Sequence, residues 1–152
     1  MIEKVYVETS VIGAYFDERA DIVSVAQKYW TRIWWDELRN RYEVVVSRVV
    51  VDELKHPDFP HSQQALELIE NIPEVPIEDE IRQIVKIYIQ NQVIPKNPLG
   101  DALHLALASY HKCDYLLTWN CKHIANPNKF RQIRLYIPNL VTPNQLIGDY
   151  YD

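Results

Sequence analysis

The chain has 152 residues, 47% of them hydrophobic and 24% charged, which fits one globular domain (1–152) able to bury a core without disulfide or metal staples. A formal net charge of −5 and a pI near 5.5 exclude attachment to nucleic acid through the overall field and leave any such recognition to a divalent ion, a partner or a few placed Lys and Arg residues. Cys113 and Cys121 are too few for a disulfide framework, and with no secretory leader they read as free thiols in a reducing cytoplasm. Cys121-Lys122-His123 lacks the second ligand pair that a zinc site needs. No apolar run approaches the ~18 residues that cross a bilayer, so no membrane association is expected.

Lys4 to Val7 is a β-branched and aromatic run that predicts a buried first strand, with Glu8-Thr9-Ser10 at its carboxyl end. From Asp21 to Asn40, Ile22, Ala26, Tyr29, Trp30, Ile33, Trp34 and Leu38 recur with a helical period, which predicts one long amphipathic helix. Its tryptophans, Trp30, Trp34 and Trp35, give it an aromatic face whose expected use is core. Glu43 to Ser47 is uniformly apolar at its centre and predicts a second, buried strand, followed by a short turn or helix over Arg48 to Leu54 that carries Asp52 and Glu53. Ser62 is a predicted N-cap for a helix reaching Ile72, and a further helix runs from Glu78 to Asn91 with Ile81, Ile84, Val85 and Tyr88 on one face.

The stretch from Leu99 to Ala108 is apolar at almost every position, which suits a helix buried on several sides and predicted over Gly100 to His111. Asp101 stands in its first turn. Either the helix N-terminus favours that carboxylate, or it points into a cleft where a cation offsets its desolvation. His104, one turn on, reads as a satisfied core histidine or as one that supports the site residues from behind. Asp114 to Thr118 predicts a third strand ending in Trp119-Asn120, and Ile133 to Ile137 a fourth. Thr142-Pro143 caps and opens a last short helix reaching Ile147.

Strands and helices alternate, so the expected architecture is a parallel, twisted sheet with helices on both faces. In such sheets ligands bind beyond the carboxyl ends of the strands. Glu8, Glu53, Asp101 and Asn120 each stand where an apolar element starts or stops, and the topology converges those places. Carboxylates brought together repel unless a cation lies between them, and Mg²⁺ or Mn²⁺ suits hard oxygen ligands. Such an ion activates water and steadies the charge that develops at a phosphate, so the expected chemistry is phosphodiester hydrolysis. A phosphatase or nucleotide-binding domain is disfavoured because no Gly-rich phosphate loop occurs among three glycines.

Tyr6-Val7-Glu8-Thr9-Ser10-Val11-Ile12-Gly13 resembles the opening of PIN domains, and Val51-Asp52-Glu53-Leu54 resembles their second acidic site. Gly100-Asp101-Ala102-Leu103-His104-Leu105-Ala106 resembles their third, and Leu116-Leu117-Thr118-Trp119-Asn120 their final block. The likeness covers almost the whole chain, in order, and is greatest to the VapC-like toxin ribonucleases of bacterial type II toxin–antitoxin pairs. It implies a PIN-like three-layer fold with a central sheet of about four to five strands, Mg²⁺ or Mn²⁺ held by Glu8, Glu53 and Asp101, and RNA as substrate. Asn120 would join the catalytic set, and Thr9, Ser10, Lys122 and His123 would contact substrate. A small antitoxin and a second copy of the chain are the implied partners. The family usually carries Asp where this chain has Glu8, and often Asp where it has Asn120. Asparagine keeps an oxygen ligand and removes a charge, which weakens a second ion more than a first. The alternative is a PIN-fold binding or scaffold module whose site has lost catalysis.

Overall fold

The computed structural model describes residues 1–90, 99–120 and 138–151. Five parallel strands form its sheet: β1 (Lys4–Val7), β2 (Glu43–Ser47), β3 (Glu74–Val75), β4 (Tyr115–Leu117) and β5 (Asn139–Val141), in the order β3-β2-β1-β4-β5. Val5, Tyr6 and Val7 of the central strand are inaccessible to solvent, and Val44, Val45 and Val46 beside them are buried. A strand covered on both faces has no polar side to present, which is why these runs lack the alternation of an exposed sheet.

The helices are α1 (Thr9–Tyr15), α2 (Ile22–Ile33), α3 (Arg48–Leu54), α4 (Ser62–Leu68), α5 (Asp79–Gln90), α6 (Leu99–Tyr110) and α7 (Pro143–Tyr151). They pack in two sets, α1 with α2, α3 and α4 and α2 with α7, against α5 with α6. Parallel crossovers are right-handed, so the chain lays α1 to α4 on one face as it steps from β1 through β2 to β3, and α7 joins them after β5. It lays α5 and α6 on the other face as it returns to β4. That reversal at β1 creates the crevice between β1 and β4 where an open α/β sheet holds its ligands. The fold is the three-layer arrangement, a parallel sheet with helices on both faces, expected from the sequence.

Several elements depart from expectation. The helix predicted from Asp21 to Asn40 is α-helical only to Ile33, continues as a π-turn over Trp34–Leu38 and closes as a 3₁₀ turn over Arg39–Arg41. Trp34, Trp35 and Leu38 are buried together in this turn. Along α2 the buried positions are not the apolar ones: Ile22 is 88% and Tyr29 59% exposed, while Ser24 and Thr31 are buried.

Ser62 is the first residue of α4 rather than its cap. His61, at φ 57°, takes the cap position, and the Ser62 hydroxyl donates to the Leu54 carbonyl. The segment from Arg48 to Leu54 is a regular helix, α3, capped by the Ser47 hydroxyl, which accepts from Val50 N. The two residues of β3, between Pro73 and Pro76, and all of β5 had no predicted counterpart; the strand expected over Ile133 to Ile137 lies outside the described residues. Cys113 is a buried free thiol, as expected, and burial pushes its pKa up to about 11. Cys121 lies outside the described residues. No helix among the described residues is long and apolar enough to cross a membrane.

Candidate functional site

Glu8 follows the last residue of β1 and occupies the N-cap position of α1. Its backbone is extended, its amide donates to the Leu117 carbonyl of β4 at 3.0 Å, and its side chain makes no capping bond to α1. The carboxylate is therefore free of the helix it introduces, yet the residue is only 4% exposed. Two hydroxyls hold it. Ser10 Oγ donates to Glu8 Oε1 at 2.5 Å and Thr118 Oγ1 donates to the same oxygen at 2.7 Å. Each hydroxyl in turn accepts a main-chain N–H from the segment after β4, Trp119 N to Ser10 and Asn120 N to Thr118, both at 2.9 Å. The ends of β1 and β4 are thus joined through one acid. Among the described residues no Lys or Arg forms an ion pair with Glu8; its burial is offset there by the two hydroxyls and by the nearby charge of His104.

Glu53 reaches the same place from α3. Thr9 Oγ1 donates to Glu53 Oε1 at 2.7 Å, and His104 Nε2 lies 2.5 Å from that oxygen. His104, buried on α6, also contacts the Tyr6 hydroxyl through Nδ1 at 2.7 Å, and Tyr6 Oη lies 2.7 Å from Ser47 Oγ. Burial works against the imidazolium, but the Glu53 hydrogen bond and the charges of Glu8, Glu53 and Asp101 outweigh it and hold the His104 pKa above its ordinary value. Burial likewise works against the Glu53 carboxylate, and the hydrogen bond and charge of His104, with Thr9, outweigh it and hold that pKa below its ordinary value. A protonated His104 donates from both nitrogens, Nε2 to Glu53 and Nδ1 to Tyr6, which leaves the Tyr6 hydroxyl to donate to Ser47. One chain of hydrogen bonds thereby links β1, β2, α3 and α6.

A cavity of about 880 Å³ opens on this cluster, lined by Glu8, Thr9, Ser10, Glu53, Trp119 and Asn120 among others. Its outer wall comes from α1, the α1–α2 connection and the segment around Phe59. Asp101 is not among the lining residues. It is partly buried in the first turn of α6, close enough for its charge to act on His104. The structure therefore brings Glu8, Glu53, Thr9, Ser10 and Asn120 into one cavity lining, with Asp101 outside that lining and within electrostatic reach of His104. Among the described residues no three His, Cys, Asp or Glu side chains are grouped as a metal cage. Lys122 and His123 lie outside the described residues. Tyr6, Ser47 and Thr118 belong to the site and were not singled out in the sequence. Their signal was a hydroxyl in or just after an otherwise apolar strand, which demands a partner once buried.

The fold is shared with a VapBC2 chain. The match is to the crystal structure of VapBC2 from Rickettsia felis bound to a DNA fragment from their promoter, with a TM-score of 0.55 and 15% identity over 91% of this chain and 98% of that one. No protein-family profile and no curated protein matches the sequence. At that identity the likeness carries the arrangement of strands and helices, and the chemistry rests on the residues.

Proposed function

We propose that the protein is a metal-dependent endoribonuclease acting as the toxin of a type II toxin–antitoxin pair. The observation that carries this reading is the buried Glu8 carboxylate, which stands with Glu53 on one cavity wall at the point where the strand order reverses. A buried acid held by two hydroxyls and paired with no Lys or Arg among the described residues, in a set of hard oxygen donors, fits Mg²⁺ or Mn²⁺. Glu8, Glu53 and Asp101 would hold the ion. When bound, it supplies Lewis acidity and a more acidic water for in-line displacement at phosphorus.

The residues of the chain do the rest. Ser10 and Thr118 fix Glu8 Oε1, and Thr9 and His104 fix Glu53 Oε1, so both acids meet a ligand in set orientations. Glu53, held ionised by His104, orients the attacking water rather than storing a proton. Asn120, in the same cavity lining as Glu8, would serve a phosphate oxygen or a bound water. Lys122 and His123 are proposed phosphate contacts. A small antitoxin is the proposed partner, in keeping with the VapBC2 complex whose fold the chain shares, and the chain is proposed to act in the cytoplasm as a homodimer.

The test is cleavage of a structured RNA with Mg²⁺, with Mn²⁺ and with EDTA, by the natural protein and by Asp101→Asn. Cleavage that needs the ion and is lost in Asp101→Asn is expected; cleavage indifferent to both overturns the reading. One observation favours a second reading, a PIN-fold binding module without catalysis: no metal cage is formed among the described residues. A Mn²⁺ titration separates the two, since the second reading requires weak binding or none.

A further inference from the structure

The cavity beside the acids is built for more than a metal. Of the basic groups that line it, Arg19 is paired with Asp17 at 2.6 Å, and His61 Nε2 lies 3.6 Å from a Glu18 carboxylate oxygen. Glu8 and Glu53 share that lining, so no unpaired basic side chain of the described lining is left to attract a second phosphate. What the walls offer is aromatic surface and polar edges. Trp119 is partly exposed and fixed at two points, its amide on Ser10 Oγ and its indole Nε1 on Thr31 Oγ1, each at 2.9 Å. Phe59 lies against α1 where Gly13 has no side chain; a Cβ there would stand 3.3 Å from the Phe59 ring.

We infer that this cavity takes one unstacked nucleobase next to the cleaved phosphate, with Trp119 and Phe59 as the stacking surfaces and Gln27 at the polar edge. The inference rests on the nuclease reading, and a paired base stays in its helix and cannot enter. A volume of about 880 Å³ lies within the ~300–1,000 Å³ range of ligand pockets. Aromatic stacking is tolerant of base identity, whereas a side-chain amide reads a base edge. Ser10 gives the arrangement its register. The same hydroxyl holds Glu8 Oε1 and the main chain of Trp119, so the stacked base and the scissile phosphate are set at one spacing.

The experiment uses short single-stranded RNAs carrying 2-aminopurine at successive positions, mixed with the protein in Ca²⁺, and matched RNAs with one abasic nucleotide cleaved in Mg²⁺. Stacking predicts quenching of 2-aminopurine at one position only and a loss of about 10-fold or more in kcat/KM when that position is abasic. Trp119→Leu and Phe59→Leu, checked for folding by circular dichroism, should remove the quenching and the abasic sensitivity together. Quenching without any cleavage keeps the base site and rejects the nuclease. Equal fluorescence at every position overturns the base site whatever the cleavage result, as does equal cleavage of duplex and single-stranded RNA.

Discussion

His104 Nε2 lies 2.5 Å from Glu53 Oε1, and this contact joins the most buried helix of the protein to the wall of its cavity. Stability should follow the charge of the pair. Glu53, with its folded pKa lowered, contributes stability that is complete above its ordinary value of 4.5 and is lost as pH falls through the lowered one. His104, with its folded pKa raised, contributes stability that is complete below 6.5 and is lost as pH rises through the raised one. The two contributions overlap between those ordinary values. Urea unfolding in EDTA should therefore show His104→Gln less stable than the natural protein by about 1–3 kcal/mol near pH 5.5, with the gap narrowing in alkali. A gap that stays flat or widens with pH would mean that the pair is not charged.

Ser10 bonds both Glu8 and the main chain after β4, so its removal is expected to act on function before stability. Ser10→Ala leaves Glu8 Oε1 with Thr118 and leaves Trp119 N without its acceptor. Loss of a group that orients a metal ligand usually costs about 10–100-fold in metal affinity or activity. Mn²⁺ binding by calorimetry should weaken by that order while thermal unfolding shifts by a few degrees. Unchanged Mn²⁺ affinity would place Ser10 outside the ligand network.

What the sequence disclosed was set by length and periodicity. Glu8 was legible because it ends an apolar strand, and Glu53 because it stands a few residues beyond one, where in a parallel sheet ligands bind. The sheet around β1 was legible from the same apolar runs, with Val5 to Val7 and Val44 to Val46 buried on both faces. The two residues of β3 carry no period, and their pairing with Val46 and Ser47 comes from the sheet edge available to them. His104 was read as a satisfied core residue or one supporting the site. It is buried and satisfied, but its partners, Tyr6 and Glu53, come from distant parts of the chain, and spacing along one helix does not reveal them. In α2 the helical period was legible, but the side facing the core was not, because a hydrophobic stripe gives no sign of what covers it.

That inversion in α2 has a measurable consequence. Ile22, Val23, Val25 and Tyr29 contribute little to the core, so charged or polar replacements there should leave the fold intact. Ile22→Lys and Tyr29→Ser are each expected to change unfolding free energy by no more than about 0.5 kcal/mol, as surface substitutions do. Thr31→Val on the same helix should cost more, because Thr31 is fully buried and accepts the Trp119 indole N–H. Chemical denaturation of the three variants checks the order. A large loss in Ile22→Lys would restore the core face that the periodicity suggested.

The remaining prediction concerns the acid that departs from the PIN pattern. Glu8→Asp restores the residue usual at that position, and on resemblance alone it should raise activity. The geometry predicts the opposite. Ser10 and Thr118 are set to meet an oxygen at the end of a glutamate side chain, and an aspartate is one methylene short of both. Its carboxylate would either withdraw from the two hydroxyls or draw the turn after β1 with it, and the amide of residue 8 is tied to Leu117. Cleavage by Glu8→Asp is therefore expected to fall about 10–100-fold, with Mn²⁺ affinity falling in step. Glu8→Gln, which keeps the length and removes the charge, should fall further in both. Parallel rate and Mn²⁺ titrations of the two variants decide the point, and an aspartate variant as active as the natural protein would show that length at this position does not matter.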